Sequence, residues 1–299
     1  MRIVVSGSLG HIGRPLTRAL VKNGHHVTVI SSRSERLDEI IGLGAIPAFG
    51  TLEDADFLVE TFEGADAVFC MEPPVDFFDK NLDIIRYYKE IGENFVQAIG
   101  LNNIEKVVHL SSIGAHMPNG NGVIQFHYHV EQILRSLPEQ IHIKFVRPVG
   151  FYYNLLAFAQ SVKAVGKMAS VYGEDDIVPW VSPLDIAAVI AREFELPFDQ
   201  PSKVRYVASD ELSCKEVAQI FGKAIGRPEL QWIRITEQQQ LDILLNAGMS
   251  EAAARGLVEM NKATHDGTLY EDYYKNRPEL GSHKLADFAP IFAETYQNL

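Results

Sequence analysis

The chain has 299 residues, 46% of them hydrophobic, with a formal charge of −12 from 27 basic and 39 acidic residues. That length supports one large domain, or one domain with a smaller lobe, and no run approaches the ~20 consecutive apolar residues of a membrane-spanning helix. An acidic chain with no cluster of Lys and Arg lacks the phosphate-neutralising contacts on which direct nucleic-acid binding draws.

Ile3-Val4-Val5 is too short for a secretory signal and has no cleavage site after it, so a cytoplasmic protein with no membrane partner is expected. The two cysteines, Cys70 and Cys214, form no CxxC pair and read as small buried hydrophobes. No metal site is expected.

Taken in order, Ile3-Val4-Val5-Ser6 reads as a strand and residues 15–22 as a helix ended by Asn23-Gly24. Residues 26–30 are a second strand, 36–43 a helix closed by Gly44, 45–49 a third strand, and 55–62 a helix. Residues 67–71 are a fourth strand stopped by Pro73-Pro74, followed by a long helix over 79–99. Residues 106–110 are a fifth strand, 126–136 a helix, and 142–146 a sixth strand closed by Arg147-Pro148. Continuous apolar strands alternating with helices predict an α/β fold, a doubly wound parallel sheet of Rossmann type. The second half is less regular, with one strand at 204–207 and helices near 184–193, 214–225, 237–246 and 251–262. It predicts a smaller, mostly helical C-terminal lobe. The expected division is 1–150 for dinucleotide binding and 151–299 for substrate or partner, with about 176–207 returning to the sheet.

Gly7, Gly10 and Gly13 recur at three-residue spacing between the first strand and the first helix. That junction is where a dinucleotide fingerprint must lie. The first glycine allows the tight turn, the second a close approach to a pyrophosphate, and the third close helix–strand packing, while the helix start offers free N–H groups. At the end of the second strand, where an Asp or Glu would hold a ribose diol, the chain has Ser31-Ser32-Arg33-Ser34. Hydroxyls and a guanidinium suit a 2′-phosphate dianion, so NADP(H) is the expected cofactor.

The GxxGxxG spacing resembles that of extended or atypical short-chain dehydrogenases/reductases. Four later segments, 63–74, 107–115, 127–154 and 180–187, resemble the NmrA-like subgroup in order and spacing. The resemblance implies cofactor contacts from Gly7, Leu9, Gly10, His11, Ile12 and Gly13 at the pyrophosphate. It puts Ser32 and Arg33 at the 2′-phosphate and Thr51-Leu52 near the adenine, where the family usually has Asp-Leu. Met71, Glu72 and Pro73 would flank the ribose and nicotinamide. Ser111 and Ser112 would border the nicotinamide, and Pro148, Val149 and Phe151 would close over it.

Catalytic members of the wider family carry Tyr-x-x-x-Lys on the helix after the fifth strand. Alignment on Glu131 puts Val123 at the Tyr position and His127 at the Lys position. Valine has no proton to give, so ordinary short-chain dehydrogenase chemistry is not supported. His127 is the remaining catalytic candidate and can bond the nicotinamide ribose or amide. His109 reads as a core or edge histidine, Asp185 as a cap or anchor, and His127 with His129 as a poor metal pair. Phe151-Tyr152-Tyr153 reads either as core or as the wall of a flat apolar pocket. Two functions fit these residues. One is an NADPH-dependent reductase passing hydride to a quinone-like or other small acceptor. The other is a non-catalytic NADP(H) redox sensor acting through protein partners.

Overall fold

A computed structural model describes all 299 residues. The N-terminal half alternates β1 (Arg2–Val5), α1 (Gly13–Lys22), β2 (His26–Ser31), α2 (Leu37–Gly42), β3 (Ile46–Phe49), α3 (Ala55–Phe62) and β4 (Ala67–Cys70). It continues with α4 (Ile84–Leu101), β5 (Lys106–Leu110), α5 (Gln125–Leu134) and β6 (His142–Pro148). Then follow β7 (Gly150–Phe151), α6 (Phe158–Val165), β8 (Lys167–Ser170), β9 (Ile177–Val181), α7 (Pro183–Glu195) and β10 (Ser202–Val207). The chain ends with β11 (Asp210–Ser213), α8 (Cys214–Ala224), β12 (Gln231–Arg234), α9 (Glu237–Asn246), α10 (Glu251–His265), α11 (Glu271–Lys275) and α12 (Leu285–Gln297).

Seven strands form one sheet in the order β10-β6-β5-β4-β1-β2-β3, every pair parallel. This is the expected Rossmann architecture with a smaller helical lobe. Successive strand side chains point to opposite faces, and the cores show it. Ile3 and Val5 enter one apolar cluster with Leu16, Leu20, Ile186 and Ile190 of α1 and α7. Val4, between them, enters the other with Leu58, Phe62, Ile91, Phe95 and Leu134 of α3, α4 and α5. Both faces are therefore covered, which is why the strands read as unbroken apolar runs. The first cluster extends into the C-terminal lobe, where Phe221 of α8 stacks on Phe292 of α12 at 4.0 Å between ring centres. Each such buried ring contributes roughly 1.5–3 kcal/mol by leaving water.

Local chemistry explains where elements begin. The helix expected from residue 79 starts at Ile84, because the Asp83 carboxylate accepts the Arg86 N–H as an N-cap. Upstream, Asp76 and Asp79 each accept a backbone N–H two residues on, holding that segment in turns. The lobe also holds two small sheets, β11-β9-β7 and β12-β8. No helix is long and apolar enough to cross a membrane, and both cysteines are buried and free.

Candidate functional site

Parallel strands deliver every following loop to the same sheet edge. The chain order reverses between β1 and β4, and the crevice outside that point is where open α/β sheets take ligands. The loop after β1 is the glycine turn, with Gly7 at φ 83° and Ser8 at φ 56° in the left-handed region. A Cβ on Gly7 would strike Met71 Cε at 1.8 Å, and one on Gly13 would strike the Ser8 carbonyl oxygen at 1.9 Å. A Cβ on Gly10 would meet only the Gly7 carbonyl, at 3.9 Å. Two glycines are thus required by the protein itself, whereas Gly10 faces open space.

Across the crevice the Ser6 hydroxyl accepts the Met71 N–H at 2.7 Å and lies 3.0 Å from the Met71 carbonyl, tying the ends of β1 and β4 together. The side chains of Leu9 and Ile12 are buried in the core, so only their backbone faces the loop. His11 is exposed and stacks on Tyr153 at 3.6 Å, and partial burial there lowers its pKa. Nothing caps the first turn of α1: no side chain accepts its N–H groups and no acidic residue lies in it.

Beyond β2, Ser8 Oγ donates to Ser31 Oγ at 2.9 Å, and Arg36 Nη1 donates to Ser8 Oγ at 3.1 Å. The buried Ser31 hydroxyl also accepts the Arg33 N–H at 3.1 Å. Ser32 and Arg33 are exposed. Neither Arg33 nor Arg36 has an ion-pair partner, although Arg14 pairs with Glu39 close by. Two unpaired guanidinium groups and a ladder of hydroxyls fit a phosphate at this end. The helix expected from Arg36 begins at Leu37, which leaves Arg36 as a second basic group three residues beyond Arg33. After β3, Thr51 is exposed, whereas Leu52 is buried in the second core and its carbonyl accepts the Asn94 amide at 2.9 Å.

The opposite end of the crevice is lined from β4, β5, β6 and α5. Glu72 is buried, and its carboxylate accepts from His109 Nε2 at 2.8 Å. Burial pushes this carboxyl up, but the adjacent His109 outweighs it and holds the group below the usual range. Glu72 is therefore committed to His109, not free to face a ribose. Ser111 is committed too, donating to Glu131 at 2.6 Å, while Ser112 is partly open. Glu131 receives Arg147 through two bonds, at 2.8 and 2.7 Å, and Arg147 Nη1 reaches the Tyr206 hydroxyl and Asp272. This buried seam fixes α5 to β6. Met71 and Pro73 are half-buried, Pro148 and Val149 buried, and Phe151 half-buried.

The aromatic run divides. Tyr152 is core, its hydroxyl donating to Asp210 at 2.6 Å, and Tyr153 walls the glycine turn beside Phe288. Asp185 is an anchor: it accepts from Ser209, from His283 Nδ1 and from the His283 N–H, while Ser182 caps α7. His127 is half-buried and its ring packs on Phe126 at 3.9 Å. Burial drives its pKa down to about 4, so the ring is neutral near pH 7. Its Nδ1 is enclosed without a partner. Val123 is buried, and α10 crosses it at Gly256; a Cβ on the adjacent Gly122 would sit 1.8 Å from the Gly256 carbonyl oxygen. The position of the missing tyrosine is packed shut.

Comparison with known proteins agrees with this geometry. A model of the NmrA-like family matches residues 1–289. An NAD(P)H azoreductase of Xenophilus azovorans is 26% identical over 261 residues, spanning 86% of this chain and 85% of that protein. Among solved structures, an NADPH-dependent quinone oxidoreductase of Escherichia coli complexed with NADPH superimposes with a TM-score of 0.78 at 17% identity, covering 96% of this chain and 98% of that one. The triphenylmethane reductase of Citrobacter sp. complexed with NADP(H) gives 0.76 at 16% identity, covering 97% and 100%. At such identities the two structures speak for the fold.

Proposed function

This chain belongs to the NmrA-like family, and from that premise we propose that it is an NADPH-dependent reductase of a flat, electron-poor acceptor such as a quinone or an azo compound. The observation that carries the reading is the glycine turn. Gly10 opens on a space no protein atom fills, and the turn leads through Ser8 to Arg36 and Arg33, with no carboxylate paired to either guanidinium.

The residues fit the cofactor. The backbone from Gly7 to Gly13 and the uncapped start of α1 suit a pyrophosphate. Ser32, Arg33 and Arg36 suit the 2′-phosphate, which a carboxylate at the same place would repel. When bound, the nicotinamide supplies a hydride. The protein's part is to hold the two reactants together and keep water out, and Tyr153, Phe151 and Met71 provide the apolar wall for this. With Val123 at the aligned position, the phenol that protonates the product in ordinary short-chain dehydrogenases is missing there. A quinone does not need one, because its reduced oxygen takes a proton from solvent. The relatives described above are named as an azoreductase, a quinone oxidoreductase and a triphenylmethane reductase, names that point to conjugated acceptors, and this supports the same class here.

The test is steady-state NADPH oxidation with a panel of quinones and azo dyes. Turnover with several members of the panel is expected. NADPH binding with no turnover above background would instead identify a redox sensor acting through a protein partner.

A further inference from the structure

We infer that Asn119 is a site of spontaneous covalent modification, at which attack by the Gly120 backbone nitrogen turns the side-chain amide into aspartate or isoaspartate. The chain contains three Asn-Gly pairs, Asn23-Gly24, Asn119-Gly120 and Asn121-Gly122. Glycine has no side chain to shield its own nitrogen, so such a pair meets the least hindrance to this reaction. In sequence the three pairs are equivalent; the fold separates them. The reaction needs an amide that no neighbour holds, a glycine N–H free of any hydrogen bond, and water at the site.

Asn23 is exposed but fails the second requirement. It caps the end of α1, where the Gly24 N–H donates to the Val21 carbonyl at 2.9 Å, and its own amide reaches Glu195 at 3.4 Å. Asn121 fails the first and third. It is fully buried, and its amide donates to the Gly114 carbonyl at 2.9 Å and to the Met117 carbonyl at 3.1 Å. Gly122 beside it is pressed against α10, with the Gly256 carbonyl oxygen 1.8 Å from where a Cβ would stand. Asn119 meets all three. It lies in the connection from β5 to α5, where residues 118–121 are neither helix nor strand, and it is exposed. Its side chain bonds to no other residue, and the Gly120 N–H makes no hydrogen bond within the chain. The space around Gly120 is open: a Cβ there would meet only Met117 Cε, at 3.7 Å.

The chemistry balances with water alone. The Gly120 nitrogen gives its proton to solvent base and bonds to Asn119 Cγ; the Cγ–Nδ2 bond breaks, and ammonia leaves. The product is a five-membered cyclic imide. Water then opens the ring at one of its two carbonyls. Opening at Cγ leaves an ordinary aspartate. Opening at the main-chain carbonyl leaves isoaspartate, in which the backbone runs through the former side chain and gains one carbon. Either product takes the formal charge of −12 one unit further. The extra carbon falls between Pro118, whose carbonyl accepts the Gln125 amide at 2.6 Å, and the buried anchor Asn121. Asn119 itself supports nothing, so conversion to aspartate leaves the fold standing.

The experiment is incubation of the folded full-length chain in mildly alkaline water labelled with oxygen-18, followed by peptide mapping in a mass spectrometer. Uptake of the heavy oxygen at Asn119 is expected first, as a mixture of aspartate and isoaspartate. Two hydrogen bonds must open before Asn121 can react, so its rate is expected to lie about tenfold or more below that of Asn119. Asn23, with the Gly24 N–H engaged, is expected to lag as well. In strong denaturant the three rates should converge, since the fold no longer distinguishes them. Asn119→Gln would need a larger ring, so the early acidic species seen in charge separation of the wild type should disappear from this variant. Asn119→Asp should melt at the wild-type temperature. Asn23 or Asn121 converting as fast as Asn119 in the folded chain would overturn the assignment. So would an acidic species that persists in Asn119→Gln, or an Asn119 that stays an amide while the unfolded chain converts.

Discussion

Gly256 of α10 lies against Val123 so closely that a Cβ on the glycine would come within 2.8 Å of Val123 Cγ1 and 3.0 Å of the Val123 backbone nitrogen. The position aligned with the tyrosine of catalytic short-chain dehydrogenases is therefore closely packed against the lobe. Val123→Tyr is expected to cost about 1–3 kcal/mol through overpacking and to confer no new carbonyl reduction. Thermal unfolding together with an NADPH-coupled carbonyl assay measures both. A stable Val123→Tyr protein with new activity would show that α10 yields freely and that only the side chain was missing.

The three glycines of the turn are expected to separate stability from binding. Gly13→Ala places a Cβ 1.9 Å from the Ser8 carbonyl oxygen, and Gly7 sits at φ 83° against Met71, so both variants should unfold at lower temperature. Gly10 has no obstruction nearer than 3.9 Å. Gly10→Val should keep the wild-type melting temperature in the absence of ligand and lose NADPH binding. Retained binding would mean that no ligand approaches the turn at Gly10.

Much of this was legible in sequence, for identifiable reasons. The strands from β1 to β6 are short, largely apolar runs, and α3 and α9 occupy the spans read for them. The glycine turn was visible because its requirement is local. What was hidden depends on partners distant in the chain. β8 and β12 pair Lys167 with Gln231, and neither sequence alternates in a way that announces a strand. α12 contains Pro290, which reads as a breaker, yet Phe288 and Phe292 are buried and carry the helix past the lost hydrogen bond. Glu72 and His109 looked unrelated until the β4–β5 register, Cys70 opposite His109, brought them together.

Arg33 and Arg36 are expected to act as one phosphate clamp. Each charge-assisted bond is worth about 1.5–3 kcal/mol, so Arg33→Ala should erase most of the preference for NADPH over NADH. Arg36→Ala should weaken NADPH somewhat less, because it also releases Ser8 from its 3.1 Å contact. NADH affinity should barely move in the first variant. Calorimetry with both nucleotides is the measurement; equal wild-type affinities would refute the specificity.

The Glu131–Arg147 pair predicts a pH dependence of stability. Burial pushes the Glu131 carboxyl up, but the hydrogen bonds and charge of Arg147, with help from Ser111, bring it below the usual value. A carboxylate with a depressed folded pKa stabilises fully above its unfolded value of ~4.3 and loses that contribution as pH falls through the folded one. Glu131→Gln leaves Arg147 buried without its counter-ion, at a cost of about 3–5 kcal/mol near neutrality. Denaturant unfolding at about pH 7 and again at about pH 3 should show a wide gap between variant and wild type that narrows in acid, where uptake of a proton by this carboxyl in the unfolded chain draws down the wild-type advantage. The double variant Glu131→Leu with Arg147→Met should recover most of the loss, since no charge is then stranded. A gap that does not change with pH would place the energy of the seam in shape alone, leaving Ser111 and Tyr206 as its polar ends.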